Sequence, residues 1–341
     1  MQFSPIQQLI FSGDVDNYEL ARQLSISQGL DLAVFQQLEA CAQEFSLLTQ
    51  TNCTAAELFA QLKNSELVKI FYKNIPLSDA WAVFAPFLTH FYLTQHLWEA
   101  VPPVIAQWKG LKQLDLRNGK LKTISDFVYE LPELENLILY NNPIDTIDEN
   151  IAKAQKLQQL SVSSPHFIGL PDALAQLPLL HSLAFGGSNL INEQQIPSII
   201  FDCTHLTTLE LKGQCFYQLP PEIAKLHRLQ SLRLEHCNFS RFPRELLMLP
   251  NLVHLELSFL PHANKLLKQI PHFQGLKRLN LYDNDFGWLK KLPVQEWGFL
   301  ERLELISFSF LHAGNQQQQP HAGLDGWLKQ QLPNTEIITI L

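Results

Sequence analysis

At 341 residues and 46% apolar content, the chain has ample material for a buried interior. Its net charge of −8 (25 Lys and Arg, 33 Asp and Glu) contains no long run of either sign, so we expect no nucleic-acid partner and no anionic-membrane surface, because both require clustered basic residues. No stretch of about 18 apolar residues occurs, and we therefore predict no membrane-spanning helix.

Residues 1–64 carry the patterns of helices. The segment from Asp16 to Glu19 is typical of a capping box that opens a first helix, and Gly29 is placed to end it. A second helical pattern runs from Leu32 to Phe45, and residues 54–57 (Thr-Ala-Ala-Glu) form a capping box for a third helix. We interpret residues 1–64 as a helical N-terminal cap over the apolar edge of the first repeat, with a separate binding role as the alternative.

A Leu-x-x-Leu-x-Leu pattern then recurs nine times, at steps of 23 to 26 residues. Its first leucines are Leu111, Leu134, Leu157, Leu180, Leu206, Leu229, Leu252, Leu276 and Leu300. A fixed period in this range is typical of stacked repeats. The segment from Leu88 to Trp98 fits one period earlier, and residues 68–70 are a candidate edge strand one period before that.

Each repeat combines a strand with a return segment. In the sixth repeat, the alternation predicts a strand with Leu229, Leu232 and Leu234 buried on one face. The segment Leu219–Leu226 has two prolines followed by apolar residues at helical spacing, which favours short helical turns that begin at proline. A large residue also follows each strand after a turn, and because phenylalanine dominates this column we interpret it as a stacked aromatic spine. The column holds Leu121, Ile144, Phe167, Leu190, Phe216, Phe239, Phe286 and Phe310.

These patterns resemble the leucine-rich-repeat family of the 23-residue type, which is common in intracellular and bacterial proteins. The resemblance covers about residue 88 to the C-terminus and implies an α/β leucine-rich-repeat solenoid, with a curved parallel sheet on the concave face and short helices on the convex face. The family's turn asparagine is kept only at Asn142 and Asn284, so we expect the ladder of bonds between neighbouring repeats to be weaker or satisfied differently.

The repeat domain is predicted to span residues 65–341. Residues 311–325 include Gln316–Gln319 and are predicted to form an insertion loop, and residues 326–341 a C-terminal cap. Because Leu332–Ile340 aligns with Leu249–Leu257, Ile338 and Ile340 are expected to take the places of the buried leucines in a last strand.

Motifs that would indicate catalysis or a cofactor are missing from the sequence. It contains no phosphate-binding glycine loop, no His-Glu-x-x-His and no Gly-x-Ser-x-Gly, so we predict no catalytic residue and no cofactor. Five scattered cysteines (Cys41, Cys53, Cys203, Cys215 and Cys237) match no zinc spacing, so we predict no metal site and expect reduced thiols. With no secretory signal at the N-terminus, this predicts a cytoplasmic protein.

The outward strand positions offer a surface for a partner, because the resemblance implies binding on the concave face. The partner-binding residues predicted there are Ile138, Tyr140, Ser161, Ser163, Glu210, Lys212, Arg233, Glu235, His236, Glu256, Phe259, Tyr282 and Asp283. Strands about 4.8 Å apart place Glu210, Arg233 and Glu256 side by side in one column. Two alternatives need no partner: charges that neutralise one another would give such a column, and exposed tyrosines also pack across strands.

We therefore predict a monomeric, non-catalytic, bacterial scaffold that binds an unidentified protein or peptide on its concave face. One alternative is a secreted bacterial effector that acts inside another cell. The other is a hydrolase with an unrecognised site, which would need a nucleophile such as Ser161 or Ser163 beside a base.

Overall fold

The computed structural model describes residues 5–10, 12, 14–28, 30, 32–49, 52–58, 67–70, 77–86, 88–164, 169–186, 196–212, 219–235, 239, 242–258, 267–282, 286–306 and 323–340. Within them the chain divides into two compact units, Met1–Ser161 and Val162–Leu341. None of the helices in these ranges is both long enough and apolar enough to span a bilayer.

The N-terminal unit begins with helices α1 (Pro5–Ile10), α2 (Val15–Ser27) and α3 (Ala33–Thr49), and residues 55–58 are also helical. The start of α2 corrects the predicted capping box at Asp16. The cap is Asp14, whose extended backbone lets its carboxylate accept from the backbone N–H groups of Asp16 (2.8 Å) and Asn17 (3.0 Å). The capping box of Thr54 and Glu57 is present, with both reciprocal bonds formed at 2.8 and 3.2 Å.

Parallel strands follow these helices in chain order. They are β1 (Leu67–Ile70), β2 (His90–Leu93), β3 (Gln113–Asp115), β4 (Asn136–Tyr140) and β5 (Gln159–Ser163). The candidate edge strand is therefore β1. Leu114, Leu137 and Leu160 are fully buried, as the period-two pattern requires. The return segments are the short helix α4 (Asp126–Tyr129) and the 3₁₀ helices Asp79–Phe84, Pro103–Gln107 and Glu149–Lys153.

The C-terminal unit repeats the arrangement with longer strands. These are β6 (Ser182–Gly186), β7 (Thr208–Lys212), β8 (Ser231–Glu235), β9 (His254–Ser258), β10 (Arg278–Tyr282), β11 (Arg302–Ile306) and β12 (Glu336–Ile340), each parallel to the next. Helices α5 (Ile199–Asp202) and α6 (Leu324–Gln331) accompany 3₁₀ helices at Asp172–Gln176, Pro221–Lys225, Arg244–Met248, Leu267–His272, Phe286–Lys291 and Val294–Trp297. The helical turns that proline was expected to begin are thus 3₁₀ turns.

The register of β12 corrects one prediction by a single residue. Ile337 and Thr339 pair with Leu303 and Leu305, so they occupy the inward columns, while Ile338 and Ile340 lie on the outward face. Thr335 fixes this register, because its hydroxyl donates to the Leu300 carbonyl at 2.9 Å before the strand begins. A shift of one residue reverses the face of every side chain in a strand.

In the N-terminal unit, different residues make the hydrogen bonds at the turn-asparagine position of successive repeats, each of which we call a coil. Asn142 donates to the carbonyls of Leu116 (2.6 Å) and Leu139 (3.0 Å) and accepts from the Leu121 backbone N–H at 3.2 Å. One coil earlier this position holds Gly119. The buried His96 ring, from the coil before that, reaches the same Leu116 carbonyl at 3.0 Å.

Several predicted features lie outside the described residues. They are Gly29, Asn284, Cys215, Cys237, Phe167, Leu190, Phe216, Phe310 and residues 311–322 of the insertion loop. The remaining spine residues, Leu121, Ile144, Phe239 and Phe286, are buried. Because residues 59–66 are also outside the described ranges, the boundary at residue 64 stays a prediction.

Candidate protein-binding face

The outward side chains of β7 to β11 form a surface within the C-terminal unit, which we call the C-terminal strand face. Since side chains alternate along a strand, burial of the leucines turns the intervening residues outward. The face consists of Thr208, Glu210, Lys212, Ser231, Arg233, Glu235, His254, Glu256, Ser258, Arg278, Asn280, Tyr282, Arg302, Glu304 and Ile306.

Arg233 lies at the centre of the charged part of this face. Its guanidinium donates to Glu210 at 2.9 Å on one neighbouring strand and contacts Glu256 at 2.6 Å on the other. Burial alone would lower the pKa of Arg233, but the two carboxylates outweigh that effect and raise it. Arg233 is therefore a fixed cation held between two anions.

Glu256 is buried although it lies on the outward side of a strand. Its side chain is 9% exposed, and its Oε2 atom is enclosed without a hydrogen-bond partner. Burial raises the pKa of the Glu256 carboxyl, and contacts with Arg233 and Asn280 only partly offset the shift. A buried acceptor without a partner is costly, so this atom is a candidate contact for a bound group.

His254 has the same property on the same strand. Its Nδ1 lies 3.4 Å from the Ser231 hydroxyl, and its Nε2 atom is enclosed without a partner. Burial lowers the pKa of His254, and the nearby charges of Arg233 and Arg278 lower it further. The ring is therefore neutral at neutral pH.

The outward residues of the face form three columns, one for each outward position along the strands. The third column changes from charged to apolar along the sheet and holds Lys212, Glu235, Ser258, Tyr282 and Ile306. Lys212 and Glu235 pair at 2.8 Å, and the column continues through the buried Ser258 to the half-buried Tyr282 and Ile306. Asn280 donates to the Tyr282 hydroxyl at 3.4 Å, which ties the aromatic ring to the middle column.

The predicted partner-binding residues are distributed over both units. Glu210, Lys212, Arg233, Glu235, Glu256 and Tyr282 come together on the C-terminal strand face, and Ser163, also in the C-terminal unit, is on β5. Ile138, Tyr140 and Ser161 belong to the N-terminal unit, and His236, Phe259 and Asp283 lie outside the described residues.

Other members of the face were missing from the predicted set. They are Thr208, Ser231, His254, Ser258, Arg278, Asn280, Arg302, Glu304 and Ile306. The sequence could have identified them, because each occupies an outward position of a Leu-x-x-Leu-x-Leu repeat.

In the N-terminal unit, the outward surface contains a separate charged pair. Asp115 is buried, and Arg117 holds it through a forked contact in which the Arg117 Nε lies 2.9 Å from one carboxylate oxygen. In register, Asp115 lies beside Tyr92 on one side and Ile138 on the other.

The described residues offer little for nucleophilic catalysis. At the Ser231–His254 contact, Nδ1 faces the hydroxyl, so a general base would need its Nε2 proton held by an acid, whereas Nε2 has no hydrogen-bond partner among the described residues. Burial raises the pKa of the Cys41 and Cys203 thiols to about 12, so both stay protonated. No group of three or more potential metal ligands occurs among these residues.

Comparison with known proteins finds repeat proteins. No protein-family model matches the chain. Receptor-like protein 6 of Arabidopsis thaliana is 30% identical over 272 residues, covering 71% of this chain and 27% of that protein. Chaoptin of Drosophila melanogaster is 26% identical over 201 residues, covering 56% of this chain and 15% of that protein. The chain thus spans less than a third of these relatives' lengths.

Among solved structures, the TLR13 chain of a TLR13–ssRNA13 complex matches with a TM-score of 0.51 at 19% identity, over 82% of this chain and 44% of that chain. One parallel strand per coil, with buried leucines stacked in columns, defines the class of stacked-repeat proteins. Within that class, the 23-residue step and the Leu-x-x-Leu-x-Leu strands make this chain a leucine-rich-repeat protein, as the sequence predicted.

Proposed function

We propose that the chain is a non-catalytic interaction module that binds a peptide or protein on the C-terminal strand face. The observation that carries this proposal is the fixed arrangement around Arg233, with Glu210 at 2.9 Å and Glu256 at 2.6 Å, beside the half-buried Tyr282. Side chains already ordered in the free protein lose little conformational entropy on binding.

The chemistry of the face favours a protein over a nucleic acid. Acidic and basic side chains alternate across it, and the whole chain carries a net charge of −8. A nucleic-acid surface neutralises phosphates with an excess of free Lys and Arg. Arginine and tyrosine, by contrast, are enriched among the residues that dominate protein–protein affinity.

A capture experiment tests the proposal. The immobilised wild-type chain, the double variant Arg233→Ala/Tyr282→Ala and the control Arg244→Ala/Met248→Ala are each exposed to the native cell extract. The control removes one exposed cation and one exposed apolar side chain (Met248, 54% exposed) from a 3₁₀ helix outside the face. We expect the wild type and the control to recover the same partner and the strand-face variant to lose it. Equal recovery by all three proteins contradicts the proposal.

A further inference from the structure

Strand β12 lies at an end of the sheet, with β11 as its single neighbour among the strands of the described residues. The Glu336 N–H donates to the Glu301 carbonyl, on the β11 side. Since peptide groups alternate in direction along a strand, the N–H and C=O groups of Ile337 and Thr339 point to the opposite side, which is the outer edge of the sheet. An edge of this kind is a template on which another strand can pair.

The apolar interior of the C-terminal unit is incompletely covered at this edge. The inward leucines of β11, Leu303 and Leu305, are fully buried. Their neighbours in β12, Ile337 and Thr339, are only half-buried, and Ile340 on the outward face is 56% exposed. Terminal units of stacked-repeat proteins normally end on a polar outer surface. β12 instead presents peptide groups beside apolar side chains, which suits a partner strand.

β12 also lacks the features with which edge strands usually avoid association. Such strands carry lysine, proline or a bulge, or turn a charged side chain inward. The sequence of β12, Glu-Ile-Ile-Thr-Ile, is mainly β-branched, and it pairs with β11 residue for residue. Its one charged residue, Glu336, lies in an outward column, 3.6 Å from Arg302 of its own chain. This composition favours pairing with a further strand.

The sequence of β12 is complementary to itself when two copies run antiparallel. A two-fold axis at Ile338 pairs Ile337 with Thr339 of the second copy, and these are the residues whose peptide groups point to the outer edge. Each such pair exchanges two backbone hydrogen bonds. Glu336 then lies opposite Ile340 of the second copy and not opposite another carboxylate, while the two Ile338 side chains meet on the outward face. This register pairs the whole strand.

We propose that two copies of this chain associate edge to edge through β12, in place of the monomer expected from the sequence. The two strands pair antiparallel about a two-fold axis perpendicular to the sheet. The inward columns of the two copies then meet, so that Ile337 of one copy covers Thr339 of the other. The association closes after two copies, because the same edge is used on both sides. The inference concerns a different surface from the proposed function and does not depend on it.

Sedimentation equilibrium of the full chain, from low micromolar to hundreds of micromolar protein, tests the proposal. A five-residue edge gives a small interface, of the size typical of weak association. We therefore expect the average mass to rise with concentration from that of one chain towards that of two. A wild type that keeps the mass of one chain throughout contradicts the proposal. A mass that passes that of two chains also contradicts it, because a closed pair cannot grow.

Two substitutions on the edge should prevent the pairing without disturbing the contact with β11. Thr339→Pro removes an N–H that points to the outer edge, where a strand tolerates proline. Ile338→Lys sets two like charges opposite each other at the two-fold axis. Each should weaken association about 10-fold or more, while circular dichroism of the dilute proteins should match the wild type.

The control adds the same charge away from the edge. Met248→Lys changes a 54% exposed apolar residue of a 3₁₀ helix and should associate like the wild type. Association of the two edge variants to the same extent as this control contradicts the proposal.

Opposite charges at Ile338 test the register itself and do not depend on the folding of the proline variant. Ile338→Lys and Ile338→Glu should each be monomeric at concentrations at which the wild type pairs. An equimolar mixture of the two variants should pair again, because a lysine then faces a glutamate across the axis. A mixture that stays monomeric shows that the two Ile338 positions do not meet, and the proposed pair is wrong.

Cross-linking gives a second measurement of the same register. Under mild oxidation, Ile338→Cys should form a disulfide-linked pair, since opposite residues without mutual hydrogen bonds on antiparallel strands have Cα atoms about 4.5 Å apart. Ile340→Cys, on the same edge, should not, because the two copies of residue 340 lie four positions out of register, or about 13 Å apart. Equal cross-linking of the two variants contradicts the antiparallel pair centred on Ile338.

Discussion

His96, Gly119 and Asn142 show how individual residues replace a regular asparagine ladder. Asn142 donates to the Leu116 carbonyl from one side, and the His96 ring reaches the same oxygen from the coil before. Gly119 lies between them and has no side chain, which leaves room for the imidazole. The ladder is thus filled by a ring from one coil and an amide from another.

The first prediction concerns the room at Gly119. A Cβ added there would overlap the His96 ring and lie 2.6 Å from Oδ1 of Asn142, so Gly119→Ala should lower the free energy of unfolding by about 1–3 kcal/mol. Urea denaturation measures this loss. At Gly110 the nearest atom to an added Cβ is the Leu88 carbonyl oxygen at 3.7 Å, so Gly110→Ala is the matched control. Equal effects of the two substitutions would show that His96 does not occupy this space.

The second prediction concerns the pH dependence of stability at His96. Burial lowers the pKa of this ring from 6.5, although its bond to the Leu116 carbonyl acts in the opposite direction. The stability contributed by the neutral ring is therefore complete above pH 6.5 and is lost as the pH falls from 6.5 towards the lowered pKa.

His96→Asn should remove this loss, which is at most about 1.4 kcal/mol per pH unit. Urea denaturation at pH 7, 6 and 5 measures the slope for the wild type and the variant. His227→Asn, at an exposed position, controls for the loss of a histidine elsewhere. A variant that keeps the wild-type slope would contradict the assignment to His96.

Strand β12 shows, at the level of one element, where sequence periodicity stops being informative. In β7, β8 and β9, leucine alternates with polar residues, so only one face of each strand is apolar. In β12, Ile337, Ile338 and Ile340 place apolar residues on both faces. The choice of face then depends on the Thr335 hydroxyl and on the bond from the Glu336 N–H to the Glu301 carbonyl at 2.9 Å, which no alternation pattern encodes.

The third prediction tests this register with neighbouring residues of the same type. Ile337 pairs with Leu303 in the inward column, and Ile338 pairs with Glu304 on the outward face. Both side chains are half-buried, so the register alone distinguishes them: Ile337→Asp should lower the free energy of unfolding by about 2 kcal/mol, because it sets a carboxylate in the apolar column beside Leu303, whereas Ile338→Asp on the outward face should cost less than half of that. Thermal unfolding followed by circular dichroism compares them. A larger loss for Ile338→Asp than for Ile337→Asp would contradict this register and support the one expected from the sequence.

At the scale of the whole molecule, the repeat made most of the fold predictable. Residues 23 positions apart lie side by side in neighbouring strands, so the pairing of Glu210 with Arg233 and of Lys212 with Glu235 followed from the period alone. The burial of Glu256 did not follow, because it depends on how the surrounding side chains fold over the carboxyl. For the same reason, the unpartnered His254 nitrogen was beyond prediction.

The start of the first long helix was missed for a different reason. Asp14 and Asp16 are both good capping residues, and only the backbone conformation decides between them. The residues proposed to bind a partner remain a prediction, since their role depends on a second molecule.

The fourth prediction concerns the spread of local destabilisation along the chain. Because each coil of a repeat protein packs only against its neighbours, stability is transmitted locally. Leu209→Ala, at a fully buried position of β7, should cost about 2–5 kcal/mol. Hydrogen exchange should then accelerate most in β6, β7 and β8 and least in β2 and β3. Uniform acceleration across all of these strands would show a single cooperative unit instead.

The contact between His96 and Gly119 has a consequence for how such a chain can evolve. Inserting a coil that carries any residue other than glycine at this position, directly after the histidine coil, would place a Cβ against the imidazole. Exchanging the glycine coil for one of its neighbours would have the same effect. The early coils are therefore not interchangeable. Their order is fixed by the steric fit of the His96 ring against Gly119, 23 positions further on.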